Sequence, residues 1–254
     1  MTQLTVFLRK EFLGGWRNKK IVICGVIFLI VGMLSPFLAK IMPDIFSSMV
    51  TEGIQITVAT PTSVDSWLQF YGNIGSLGLL VFVILFADTI CAEIEQGTLI
   101  NLITKGLPRQ TILMAKTLYL YCLWTFFYGA AFLICLLYTR IYFNDSLTHH
   151  LVSACFSYWL FGLLTISLLM LSSTFAKNVY QVLLFLAAFY GIGVLLNLFE
   201  SFQKINPYSL SSQTVAYIQG NSELTDFLPA VLIAVVGSFL SLVLSRSILQ
   251  KRKL

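Results

Sequence analysis

Residues 74–92 read IGSLGLLVFVILFADTICA, and residues 93–116 read EIEQGTLINLITKGLPRQTILMAK. The first stretch is one bilayer's length of hydrocarbon, since a helix crosses the apolar core with about 20 mostly apolar residues. Its one charge, Asp88, falls near its end, next to Glu93. The second stretch is charged and turn-rich, and it re-enters hydrocarbon by Lys116. A helix that crosses, turns in water and crosses back sets the fold.

Five further apolar runs flank this pair: residues 21–39, 112–138, 151–176, 179–199 and 227–245. With 74–92 they make six candidate spans. The chain has 254 residues, of which 57% are hydrophobic and 11% charged, and a mean hydropathy of +0.85. A water-soluble fold of this size cannot hide that much apolar surface. Lipid leaves open backbone groups unsatisfied, and no barrel-like alternation is present. The fold class is therefore an all-α integral membrane protein, and residues 1–254 read as one domain without repeats or linkers.

Lys and Arg set the orientation. Thirteen of the 16 fall in alternate segments: Arg9, Lys10, Arg17, Lys19, Lys20, Lys105, Arg109, Lys116, Lys177, Arg246, Lys251, Arg252 and Lys253. Only Lys40, Arg140 and Lys204 fall in the others. Both termini are expected inside, in the plasma membrane of a bacterium. The net charge of +5 then needs no nucleic acid to explain it, because basic ends meet anionic headgroups. The first run is too long for a secretory leader and reads as a retained span.

Residues 1–20 are expected to form an interfacial helix. Leu4, Phe7, Leu8 and Phe12 share one side, Glu11 intrudes on it, and Gly14-Gly15 would end it. Arg9, Lys10, Trp16 and Arg17 would anchor it to the membrane surface. Residues 40–73 read as the longest outer loop, broken by Pro43, Gly53, Pro61 and Asp65, with Trp67 and Tyr71 in an outer aromatic belt. Lys177-Asn178 is a tight turn that makes spans four and five antiparallel neighbours. Residues 200–226 hold Asn206-Pro207 and the apolar stretch 215–218, either a plain loop or a short helix dipping into the outer leaflet.

Several chemistries find no support. No phosphate-binding loop is present, so the chain is not expected to hydrolyse ATP. His149 and His150 are adjacent and make a poor chelate. The five cysteines show no metal or disulfide spacing and read as apolar packing. No histidine lies within a span to activate Ser167 or Ser172, which are better suited to close helix approach. Charge at mid-bilayer, the mark of an ion-coupled carrier, is missing; Lys116 sits near the end of its span and is expected to snorkel.

Within 93–116, Glu93 and Glu95 suit a helix N-terminal turn. Leu99, Leu102 and Ile103 follow at i, i+3 and i+4, Gly106 closes that helix and Pro108 opens the next. The expected product is one short helix along the inner surface, acidic at one end and basic, through Lys105 and Arg109, at the other.

Glu93-x-Glu95-x-Gly97-Thr98-Leu99, then Thr104-Lys105, Arg109 and Lys116, resembles the segment after the second span in permeases of ABC-2 type exporters. Gly106 stands where that family often has proline, with Pro108 two places later. The resemblance extends to the N-terminal helix, the six-span layout and Asn206-Pro207. It implies a non-catalytic permease subunit that pairs with a second permease chain, as a homo- or heterodimer. Separate ABC ATP-binding subunits, which hold ATP and Mg, would drive it. The 93–109 segment would be the coupling helix, with Glu93, Glu95, Gly97, Thr98, Leu99, Leu102, Lys105 and Arg109 at the contact. The cargo implied is a peptide, antibiotic or other amphipathic compound, for export or self-immunity. A competing class is a membrane scaffold or sensor that recruits a soluble partner to the same loop; the missing catalytic groups argue against an intramembrane enzyme.

Overall fold

A computed structural model describes residues 3–49, 60–104, 106–145 and 147–252. Six helices are long and apolar enough to cross a membrane, and no strand occurs among the described residues. The protein is a multi-pass helical membrane protein. α1 (Gln3–Arg17) precedes the first span, α2 (Lys20–Met49). The second span is composite: α3 (Ser63–Asn73), a π-helical turn (Ile74–Leu79) and α4 (Leu80–Phe86). Two short helices follow, α5 (Cys91–Glu95) and α6 (Thr98–Thr104). α7 (Arg109–Tyr142), α8 (Leu151–Phe175) and α9 (Val179–Asn197) are spans three to five. α10 (Glu200–Gln203), α11 (Ser209–Ser212), α12 (Thr214–Ile218) and a 3-10 turn (Leu224–Phe227) lead to the last span, α13 (Leu228–Lys251).

α8 is the central post. Of its most apolar 18 residues 72% are buried within the protein, against 17% for α9 and 22% for the last span, which leave most of their surface to lipid. Around α8 the core is aromatic. The Trp124 and Tyr128 rings stack at 5.4 Å, and Tyr128 stacks on Tyr158 at 5.7 Å. Their polar atoms are satisfied in place: Trp124 Nε1 donates to the Trp159 carbonyl (3.1 Å) and Tyr128 Oη to the Cys155 carbonyl (3.0 Å). Gly162 makes this approach feasible, because a Cβ there would fall within the Trp124 indole.

Several local expectations change. α1 does not stop at Gly14-Gly15 but runs to Arg17, because Gly15 lies against the Tyr119 hydroxyl where a side chain has no room. Residues 40–73 are not mainly loop. α2 continues through Pro43 to Met49, and the second span starts at Ser63, where Asp65 accepts from the Thr62 N–H (2.8 Å). Gly53 lies outside the described residues. Trp67 and Tyr71 are 2% and 5% exposed and face the bundle with Phe70 rather than a lipid belt. Residues 215–218 form a helix whose Tyr217 and Ile218 are fully buried, packed beside α8 and α3. The tight turn at Lys177-Asn178 is present, with Asn178 capping α9 through the Gln181 N–H (3.1 Å).

Candidate coupling surface

At one face α1 packs on the third span and reaches the end of the second, and the ends of the fourth and sixth spans join the same layer through hydrogen bonds. Four phenylalanine and leucine side chains turn α1 onto this base: Leu4, Phe7 and Leu8 pack on the core and Phe12 meets Tyr119 edge-on at 4.9 Å. Glu11, the acid on that apolar face, is held by Lys116 (3.3 Å). Lys116 also bonds Glu93 (3.0 Å), just past the second span. It is 3% exposed and does not snorkel, because two carboxylates await it inside. Lys10 lies 3.8 Å from Glu93 and 4.6 Å above the Phe7 ring. Lys20 clasps both oxygens of Asp88 at 2.6 Å and ties the first span to the second.

These six charges line one cleft of about 310 Å3. Three cations oppose three carboxylates, so the cleft is electrically balanced and offers no net attraction to an anion. A pair such as Lys116 with its carboxylates adds little net stability, but removing one partner leaves a costly unpaired charge. The arrangement therefore fixes geometry more than it adds stability.

A second set of bonds closes a ring. Ser173, near the end of α8, accepts from the backbone N–H groups of Ile90 and Cys91 at 3.1 and 3.0 Å. Arg252 donates to the carbonyls of Thr174 and Ala176, the open end of α8. Arg109, the first residue of α7, donates to the carbonyls of Leu249 (2.7 Å), Gln250 (3.2 Å) and Arg252 (2.8 Å), the open end of the last span. Guanidinium groups suit these places, because the last four carbonyls of a helix lack intrahelical donors and carry partial negative charge. With Lys116 on Glu93, these ends of spans two, three, four and six form a closed hydrogen-bonded circuit.

The segment after the second span grows out of this ring. It is two helices rather than one. Gly97 (φ +68°) breaks it in the left-handed conformation that glycine tolerates, and Thr98 Oγ1 bonds back to the Glu93 carbonyl (3.3 Å). Glu93 and Glu95 thus lie in α5, before the break, not at the start of α6. Gly106 (φ +86°) and Pro108, just before α7, do end one element and open the next. Glu95, Gln96 and Thr98 are exposed, and Glu95 makes no ion pair among the described residues. Leu99 is fully buried. The side chain of Leu102, and Lys105 altogether, lie outside the described residues.

The structure thus divides the predicted contact set. Glu95 and Thr98 form an exposed tip around the half-buried Gly97. Glu93, Leu99 and Arg109 belong to the fixed base. Of the predicted anchors, Arg9, Trp16 and Arg17 are exposed, and Lys10 is drawn toward Glu93. Glu11, Ser173 and Arg252 are partners that the sequence reading missed. An acid on the apolar face of α1 and a lysine inside a span were the visible signals for the first.

Six spans and a charged segment clamped at one face define a multi-pass helical protein whose span ends are tied together at that face. The family model described as ABC-2 family transporter protein matches residues 5–254, and the chain belongs to this family. It is a transport-related membrane subunit. The chain is also similar to an uncharacterised transmembrane protein of Bacillus subtilis (strain 168), YxlG, with 21% identity over 148 residues. The match covers 58% of this chain and 57% of that relative, little more than half of each.

Proposed function

We propose that this chain is the permease subunit of an ATP-binding cassette exporter in the bacterial plasma membrane, with both termini inside. Residues 1–254 act as one transmembrane domain and form the path with a second permease chain. ATP and Mg are bound and turned over by separate ATP-binding subunits, and this chain is non-catalytic. The cargo is a peptide, antibiotic or other amphipathic compound, moved outward for export or self-protection.

The observation that carries this reading is the contrast within residues 90–98. Ile90, Cys91 and Glu93 are bound to α8 and α7, while Glu95, Gln96 and Thr98 project, exposed, from the same short segment. A partner that grips the tip differently in two states shifts the base, and with it four spans; without differential contact nothing would move.

The test is photo-crosslinking from a benzoylphenylalanine placed at Gln96 in membranes of the native host, with the captured protein identified by mass spectrometry and assayed for a phosphate-loop nucleotide site. A crosslink and co-purification are expected. Glu95→Lys with Gly97→Pro should remove both while the spans insert normally, because proline cannot adopt the positive φ of Gly97. Equal co-purification of that variant overturns the coupling role. A partner without a nucleotide site would instead favour a recruiting scaffold.

A further inference from the structure

Away from that charged face, the second, fourth and fifth spans and α11 line a cavity of about 480 Å3 that opens to the surface beside Leu80 and Ile84. This lies within the range of about 300–1,000 Å3 that holds small molecules. None of its lining side chains is charged. Aliphatic side chains such as Leu79, Val83 and Leu186 share the lining with Phe161 and with Tyr71, Tyr158, Tyr190 and Tyr208.

The hydroxyls in this cavity are not equivalent. Tyr190 is bonded to Thr165 (2.9 Å), Ser211 to the Tyr208 carbonyl (2.8 Å) and Ser212 to Asn197 (3.1 Å). Tyr158 is 2% exposed, yet its hydroxyl makes no hydrogen bond among the described residues. Tyr71, 5% exposed, has its hydroxyl shut away from the cavity surface and turned to the Tyr128 hydroxyl. Buried hydroxyls are nearly always satisfied, and exceptions call for an explanation.

The wall opposite Tyr158 is the π-helical turn Ile74–Leu79, which contributes Gly75 and Leu79 to the cavity. Such turns are rare and recur at functional sites. Gly75 leaves the space in front of Tyr158 open: a Cβ there would stand 3.2 Å from the hydroxyl. The segment that closes the cavity is itself pinned, since Asn206 Nδ2 donates to the Gly193 carbonyl (2.7 Å) and its Oδ1 accepts from the Tyr208 N–H (3.1 Å).

We infer that this cavity is a binding site for an uncharged amphipathic small molecule, whose hydrogen-bond-accepting head meets the Tyr158 hydroxyl and whose apolar body fills the remainder. A charged head would be stripped of water with no counter-charge to receive it. A lipid tail would fill the volume but leave the Tyr158 hydroxyl unpaired. The inference is independent of the coupling role, because occupancy is read on this chain alone, without nucleotide or partner.

The test uses the full chain in phosphatidylcholine nanodiscs and two photoprobes with the same aryl trifluoromethyl diazirine, one carrying an N-hexyl amide and the other a plain hexyl chain. Saturable labelling by the amide probe is expected on peptides of the second, fourth and fifth spans. Tyr158→Phe should cut that saturable labelling about tenfold, as loss of a hydrogen bond to a ligand does. Gly75→Leu, which fills the cavity, should abolish it. Equal, unsaturable labelling by both probes, unchanged by Tyr158→Phe, overturns the proposal and leaves an acyl-chain groove. If Gly75→Leu fails to fold, the isosteric Tyr158→Phe decides alone.

Discussion

At the basic face, elements far apart in sequence are joined by charge: Lys116 to Glu11 and Glu93, Lys20 to Asp88, Arg109 and Arg252 to helix ends. Within the bundle, the joints are neutral: Trp124 on Tyr128 on Tyr158, Tyr121 with Ser167 (2.6 Å), Ser66 with Thr139 (2.6 Å). Position in the bilayer explains the contrast. A charge near the membrane surface can keep part of its hydration, whereas one at mid-bilayer costs about 2.5–3.5 kcal/mol or more. Charged joints also have one geometry with all partners paired, and lose much when one is displaced. Neutral packing tolerates small adjustments. The proposed coupling role calls for the first kind of joint, and the proposed cavity wall for the second.

The largest expected effect breaks the charged joint. Lys116→Met fits the volume but leaves the Glu11 and Glu93 carboxylates facing each other. It should destabilise the protein by about 3 kcal/mol, the lower end for breaking a buried pair, since both acids are partly exposed. The measurement is denaturant unfolding in detergent. Adding Glu11→Gln and Glu93→Gln should recover most of the loss, because the cost lies in the orphaned charge. A single variant as stable as the parent would mean that apolar packing alone seats α1.

The neutral joints should fail by crowding instead. Gly162→Ala drives a methyl group into the Trp124 indole and should cost about 1–3 kcal/mol. Trp124→Phe in the same chain should relieve part of it, although it also gives up the bond to the Trp159 carbonyl. The same unfolding series gives both values. No partial recovery would mean that the backbone of α8, not the indole, takes up the strain.

The same contrast separates what the sequence discloses from what it does not. The spans are legible because lipid imposes one composition on about 20 consecutive residues. Gly106 and Pro108 are legible because backbone constraints act locally. Ser63–Asn73 reads as loop, with Asp65, Gln69 and Asn73 among its residues, yet it is the start of a span. Its outward composition is irrelevant where the helix faces protein: Ser66 bonds Thr139, and Asn73 bonds Ser35 (3.1 Å). At the candidate site, Glu95 and Gly97 could be singled out from local pattern. The fixed base could not, because Glu11 and Lys116 lie 105 residues apart and Arg109 finds its carbonyls 140 or more away. The π-helical turn has no local signal in IGSLGL.

The smallest expected effect tests whether an exposed charged joint on the far side behaves like those at the basic face. Asp145, in the connection after α7, accepts from the Ser63 N–H (2.8 Å) and from the Ser63 hydroxyl, and so ties the start of the second span to the end of the third. Desolvation pushes its carboxyl pKa up, but the Ser63 hydroxyl, the Ser63 N–H and the Leu147 N–H outweigh it and hold the group below the ordinary carboxylate value. A carboxyl with a depressed folded pKa contributes stability that is present above its unfolded pKa and lost as pH falls through the folded one. The unfolded value is about 3.9, so the contribution should be intact at about pH 6 and fade below about pH 4. The thermal midpoint of the parent should therefore exceed that of Asp145→Ala at the higher pH, and the gap should narrow on acidification. Because Asp145 is exposed, the gap should be far smaller than the Lys116 effect. A gap that is constant with pH would mean that the joint depends on the shape of the turn rather than on the charge, and the contrast between the two faces would then rest on the basic face alone.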